Sequence, residues 1–209
     1  MKFFSDYSAL LSVWIGGGNE KAIRQGFGGP GEWVFTFDDG PEPGTTAAVA
    51  DALEEAGGRG TFFVIGEKVR KEPGIVRDLV DRGHQVETHS MSHARCSRLD
   101  REALRGELSD SKKLLEDITG REVRWFRPPF GALRFSQLAV VAETGLRVAF
   151  WNVNPKDWMG AGPERLAARL ALAKTRSPLV VMHDRLPTVG PALRLFFSRH
   201  PKIRPVLLR

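Results

Sequence analysis

Hydrophobic and polar positions along this chain follow two periods in alternation. Short β-prone runs at 33–37, 61–65, 85–88, 123–126, 147–153, 179–182 and 205–208 predict seven strands. Amphipathic stretches lie between them. Thr45 and Thr46 are placed to cap a helix that runs through Ala56 and stops at Gly57-Gly58. Pro73 opens a second helix that ends at Gly83, with proline in a first turn and glycine after the last. From Asp100 to Thr119, the residues Leu104, Leu108, Leu114, Leu115 and Ile118 make one apolar stripe, closed by Gly120. Stretches 136–144, 164–175 and 189–198 complete the helices. Regular strand–helix alternation implies right-handed crossovers and a parallel sheet. The unbroken apolar run 179–182 suits a strand buried on both faces. The class is therefore α/β, as an open doubly wound sheet or a closed, slightly short barrel; strand pattern alone does not choose. Residues 1–32, with glycines at Gly16–Gly18 and between Gly26 and Gly31, read as an irregular N-terminal arm ahead of a domain spanning 33–209.

Composition narrows the class. A chain of 209 residues with 42% hydrophobic and 27% charged positions is an ordinary globular domain with one core. No apolar run approaches the roughly 20 residues that span a bilayer. Lys2 and the apolar patch 9–15, interrupted by Ser12 and preceded by Asp6, make a poor secretory signal without an A-x-A cleavage pattern. A cytoplasmic location is expected of the chain as it stands, and an extracellular or cell-wall one if a leader has been removed. The net charge is +6, but the basic residues are scattered and no nucleic-acid motif accompanies them. A solvated Arg-rich surface is expected, with no nucleic-acid partner. The single Cys96 excludes an internal disulfide.

The chemistry lies where strands end. Asp38 and Asp39 end the first expected strand, His89 the third, Arg127 the fourth, and His183 with Asp184 the sixth, while Asp157 follows the fifth. Parallel strands bring such residues to one rim, where α/β sheets and barrels build their sites. Two adjacent carboxylates before Gly40-Pro41 point in different directions, so one can bind a metal while the other takes a proton from water; capping a turn is the plainer alternative. His89 and His93 have the spacing that puts both imidazoles on one face of a helical turn, with Ser90 as its cap, as in H-x-x-x-H zinc sites. Two histidines and one carboxylate leave open positions, as a catalytic metal site requires. Cys96 would share that face on a continued helix; a small buried hydrophobe is the expectation for it, and a structural role is the expectation for His84. In Arg127-Pro128-Pro129-Phe130-Gly131 a rigid turn carries an arginine able to clamp a carboxylate and a backbone able to aim an N–H at an oxyanion. Asp157-Trp158 supplies an acid and a flat apolar wall, and His183 is a candidate general acid if Asp157 holds its imidazolium.

Taken in order, Thr36-Phe37-Asp38-Asp39-Gly40-Pro41, His89-Ser90-Met91-Ser92-His93, Arg127-Pro128-Pro129-Phe130, Asp157-Trp158 and Leu179-Val180-Val181-Met182-His183-Asp184 resemble the five motifs of the polysaccharide deacetylase family. This is the NodB-homology group, carbohydrate esterase family 4. The resemblance spans about residues 34 to 184. It implies a distorted (β/α)7 barrel and a metal-dependent hydrolase that removes N-acetyl groups from amino-sugar polymers or oligomers, of chitooligosaccharide or peptidoglycan type. It also implies Asp38 as general base, Asp39, His89 and His93 as ligands of one divalent metal, and Arg127 as the residue that orients Asp38. Phe130 would lend its backbone N–H to the oxyanion, Asp157 would support the acid His183, and Trp158, Val181 and Pro128 would meet the substrate. Zinc is the metal expected, with cobalt, nickel or manganese as alternatives, and the protein is expected to act as a monomer on an N-acetylated glycan.

Three positions depart from the family pattern. Phe130 stands where many relatives have Tyr; Glu87, two positions before His89, adds a carboxylate expected to narrow the site or alter its metal preference; and Arg185-Leu186-Pro187 follows the last motif. Two rival readings stand beside the deacetylase: a carbohydrate-binding relative without turnover, and a metal hydrolase of another ester or amide.

Overall fold

Strand β2 (Glu32–Gly40) shows why this sequence forms a curled sheet rather than a flat one. Its odd positions Trp33, Phe35 and Phe37 pack into the main core, where Phe35 meets Phe196 and Phe197 edge-on. Its even position Val34 joins a second, smaller cluster with Ile23, Phe63, Trp125, Ala149, Leu179 and Leu208. Period-two alternation therefore sends one face to the helices and the other to the inside of the curl. Thr36 and Asp38 share the inner face with Val34.

The computed structural model describes residues 22–209 except Arg24 and Phe27. The short strand β1 (Ala22–Ile23) precedes β2, which is followed by α1 (Thr45–Glu55), β3 (Thr61–Val64), α2 (Gly66–Lys71), α3 (Pro73–Asp81) and β4 (Gln85–Thr88). The rest of the chain runs α4 (Arg101–Thr119), β5 (Trp125–Phe126), α5 (Leu138–Glu143), β6 (Arg147–Ala149), α6 (Pro163–Ala171), β7 (Leu179–His183), α7 (Val189–Arg199) and β8 (Arg204–Val206). The sheet order is β1-β6-β5-β4-β3-β2-β7, with β8 added beside the start of β2, and the pairings are parallel. Val153 bridges to Val180 and so draws the chain after β6 toward β7. The result is a distorted α/β barrel, closed on that side by one bridge instead of a full strand pair. Among the described residues, no helix is long and apolar enough to cross a membrane.

Most expected elements are present, with shifted ends. The run 147–153 is a strand only through Ala149, and 123–126 only from Trp125. Asp100 caps α4 by accepting from the Ala103 N–H at 2.8 Å, and Gly120 ends it at φ 63°. Thr45 and Thr46 lie inside α1 and do not cap it. The Thr46 hydroxyl instead accepts from the Glu42 N–H at 2.8 Å and donates to Asp184 Oδ2 at 2.5 Å. Helix α2 was not expected, and part of the arm supplies strand β1. The apolar patch 9–15 and the glycines at 16–18 lie outside the described residues.

Candidate active site

Asp39, His89 and His93 converge at the rim of the barrel. One ligand atom from each lies within 4.8 Å of the others. Asp39 Oδ1 is 3.1 Å from His93 Nε2 and 3.5 Å from His89 Nε2, while Asp39 Oδ2 accepts from Arg185 Nε at 2.8 Å. Burial opposes the charge on Asp39, but the neighbouring His89, His93 and Arg185 outweigh it and hold the carboxyl far below the usual carboxylate range. One carboxylate oxygen and two imidazole nitrogens suit a borderline divalent cation such as zinc and leave coordination positions free. The residues therefore fit a single catalytic metal. The expected helical turn is corrected: 89–93 is a loop, with Ser90 at φ 69° and His93 at φ 61°. These left-handed conformations, costly for side chains other than glycine, turn both rings onto Asp39. Ser90 does cap the turn, its Oγ accepting from the His93 N–H at 3.1 Å. Cys96 stands apart from this cluster as a buried core residue, its thiol pushed up to about 12 by burial.

The second carboxylate faces elsewhere. Asp38 Oδ1 accepts from Arg127 Nη1 at 2.8 Å, and the fully buried guanidinium lies over the Phe63 ring at 4.2 Å. Asp38 is also the register partner of His183 across β2 and β7. Register partners on parallel strands point the same way about 4.8 Å apart, so a carboxylate and an imidazole stand side by side. His183 Nδ1 lies 2.9 Å from Asp157 Oδ1, and Asp157 Oδ2 accepts the His183 backbone N–H at 2.7 Å. Burial works against the imidazolium, but Asp157, with smaller help from Asp38 and Asp39, raises the His183 pKa above its ordinary value. Two exposed aromatic rings flank the imidazoles: Phe130 meets His93 edge-on at 4.8 Å and Trp158 meets His183 edge-on at 5.5 Å. Phe130 itself takes a left-handed φ of 60°. Pro128 is buried beside it, and Val181 is buried one layer beneath His183.

Residues 27–149 match the polysaccharide deacetylase family. The chain belongs to that family. It is 32% identical over 170 residues to a chitooligosaccharide deacetylase of Bradyrhizobium sp., covering 79% of this chain and 78% of that one. It is 31% identical over 174 residues to a peptidoglycan-N-acetylglucosamine deacetylase of Bacillus cereus, covering 82% and 76%. The fold superposes on a family 4 carbohydrate esterase from Streptomyces lividans, solved in complex with acetate, with a TM-score of 0.73. That match has 27% identity and covers 85% of this chain and 90% of that one.

Three contacts of this polysaccharide deacetylase escaped the sequence reading. Thr36 sits inside the first motif, but only the tertiary structure shows its hydroxyl against Arg127, 91 positions away. Arg185 was noted as a departure; its ion pair with Asp39 joins residues 146 positions apart. Asp184 lies behind the Asp39-Gly40 turn, buried, with its Oδ2 held by Thr46 and its carboxyl pushed up to about 7 by burial. The expectation for Glu87 is corrected. Its carboxylate takes no part in the Asp39–His89–His93 cluster and instead lies in the barrel, accepting from the backbone N–H groups of Arg124 at 2.9 Å and Trp125 at 2.7 Å. Glu87 lies on β4 two positions before His89, and the rise of a strand puts it roughly 6–7 Å lower, out of reach of the rim.

Proposed function

We propose that this deacetylase hydrolyses the acetamide of N-acetylated amino sugars, in chitooligosaccharide or peptidoglycan-type glycans, with one zinc ion held by Asp39, His89 and His93. The observation that carries this reading is the split carboxylate pair. Asp39 faces two imidazoles, while Asp38, held by Arg127, stands beside a histidine whose proton is stabilised by Asp157. When bound, the cation polarises the acetamide carbonyl and acidifies a water. In this reading Asp38 accepts a proton from the attacking water as the water oxygen bonds to the carbonyl carbon. In the same reading the backbone N–H of Phe130 would donate to the developing oxyanion, a donor of this kind contributing on the order of 3 kcal/mol. His183 then delivers its proton to the departing nitrogen, the C–N bond breaks, and acetate and a free amine leave. Val181, Trp158 and Pro128 wall the space for the acetyl methyl, and the solvent-exposed rings of Trp158 and Phe130 offer flat faces to a sugar.

Acetate release from a panel of N-acetylglucosamine oligomers, peptidoglycan fragments and other acetylated glycans, with zinc added, tests the reading. Turnover on one class assigns the substrate. Tight binding of a glycan without acetate release would make the protein a carbohydrate-binding relative, and two metals per chain by elemental analysis would favour a different metal hydrolase.

A further inference from the structure

We propose that Thr36 is a positioning residue that sets the rotation of the Arg127 guanidinium and, through it, the alignment of Asp38. The inference rests on the reading of Asp38 as the base. Thr36 is fully buried, one register layer below the Asp38–His183 layer, opposite Val181. Its Oγ1 donates to the Val180 carbonyl at 2.5 Å, which commits the hydroxyl proton to the neighbouring strand. Its lone pairs are thereby left to Arg127, whose Nη1 donates to the same oxygen at 2.5 Å.

Arg127 Nη1 carries two hydrogens, one for Thr36 and one for Asp38 Oδ1. The far side of the guanidinium is fixed as well, Nε donating to Ala149 O at 3.1 Å and Nη2 to Phe150 O at 2.9 Å. A planar group held at these points against the Phe63 face has one orientation, and Thr36 is its only side-chain acceptor besides Asp38 among the described residues. Without the hydroxyl, one Nη1 hydrogen would face the barrel interior with no acceptor, and the guanidinium would turn in its plane to recover one. That turn moves the hydrogen aimed at Asp38. The loss falls on the chemical step, because Thr36 and the Arg127 guanidinium are fully buried and offer no surface to a docking glycan.

The test compares Thr36→Val, which keeps the shape and removes the hydroxyl, with Thr36→Ser, which keeps the hydroxyl. Thr36→Ala stands in if the valine variant does not fold. Kinetics use the glycan that the wild type deacetylates best, with zinc affinity measured by competition with a chelating dye. The valine variant is expected to lose roughly 10- to 100-fold in kcat with KM and zinc affinity nearly unchanged, and the serine variant to recover most of the loss. Wild-type kcat in a folded Thr36→Val protein overturns the proposal. An equal loss in Thr36→Ser overturns it too, because the methyl group would then matter. Loss of zinc in step with kcat likewise overturns it, pointing to general damage. Asp38→Asn, measured alongside, separates the two levels: if it turns over like the wild type, the reading of the base fails, whatever Thr36 does.

Discussion

The carbonyl oxygen of Arg127 accepts the Nδ1 proton of His89 at 2.8 Å. A carbonyl can only accept, so this contact places the proton on Nδ1 and leaves Nε2 free toward Asp39. Arg127 thus serves the site twice, through its main chain for the imidazole and through its side chain for Asp38.

The two roles separate in Arg127→Lys. A lysine keeps the carbonyl but has one ammonium where the guanidinium reaches Thr36, Asp38, Ala149 and Phe150. Zinc affinity should stay within a few-fold of wild type, while kcat falls by about 100-fold or more. Calorimetric zinc titration and acetate release check the pair of outcomes; parallel loss of both would show that the side chain also holds the loop at His89.

Asp38 and Asp39 are neighbours in sequence with different partners, and their variants should behave differently. Asp38→Asn should abolish turnover and retain zinc. His93→Ala, which removes one of the two imidazoles on Asp39 Oδ1, should lose both. Elemental analysis of the purified variants beside their acetate release decides this, and wild-type turnover in Asp38→Asn would refute the assignment of the base.

Asp157 raises the His183 pKa, so the imidazolium persists to higher pH than it would alone. The donating form of a general acid is lost as pH rises through its pKa. Asp157→Asn should therefore move the alkaline limb of the kcat profile to lower pH and cost more activity at pH 8 than at pH 6. A uniform loss across pH would place the effect of Asp157 elsewhere.

Glu87 makes stability depend on pH. Burial pushes its carboxyl up to about 7 from an ordinary 4.5, so between those values the folded chain binds more protons than the unfolded one. Stability then falls as pH rises from about 4.5 through about 7, by at most about 3 kcal/mol. Glu87→Gln removes this slope. The Gln85 amide, which donates to Glu87 Oε1 at 2.7 Å and accepts from Thr61 at 2.9 Å, can flip to serve the new amide. Urea unfolding at pH 5 and pH 8 measures it, and an unchanged slope in the variant would rule Glu87 out as its source.

Gly40 stands where a side chain cannot. A Cβ there would come within 2.1 Å of Asp184 Oδ2, and Thr46 holds that carboxyl in place at 2.5 Å. Gly40→Ala should cost on the order of 1–3 kcal/mol and shift the Asp38-Asp39 turn, lowering both melting temperature and zinc affinity. A wild-type melt would show that Asp184 can move aside.

Much of this protein was readable from local pattern. Apolar runs of period two and amphipathic runs of period 3.6 located the strands and most helices, because burial of one face is decided within a few residues. The six-residue α2 (Gly66–Lys71), wedged between β3 and Pro73, is too short to show a helical period, so it escaped. Strand endings placed Asp38, Asp39, His89, Arg127 and His183 at one rim, because parallel strands end on the same side. The histidine spacing named the right partners for a helical reason that the loop at 89–93 replaces. The family resemblance, not local pattern, set Asp39 with the imidazoles and Asp38 with Arg127; only the folded chain displays those contacts, and it alone decided that Glu87 turns inward and that Thr36 and Arg185 attend the site. Each of those contacts joins residues tens of positions apart through hydrogen bonds that depend on sub-ångström placement. Sequence determined the kinds of groups and the side of the sheet they reach, whereas their pairing is a property of three-dimensional distance, which the order of residues along a strand does not contain.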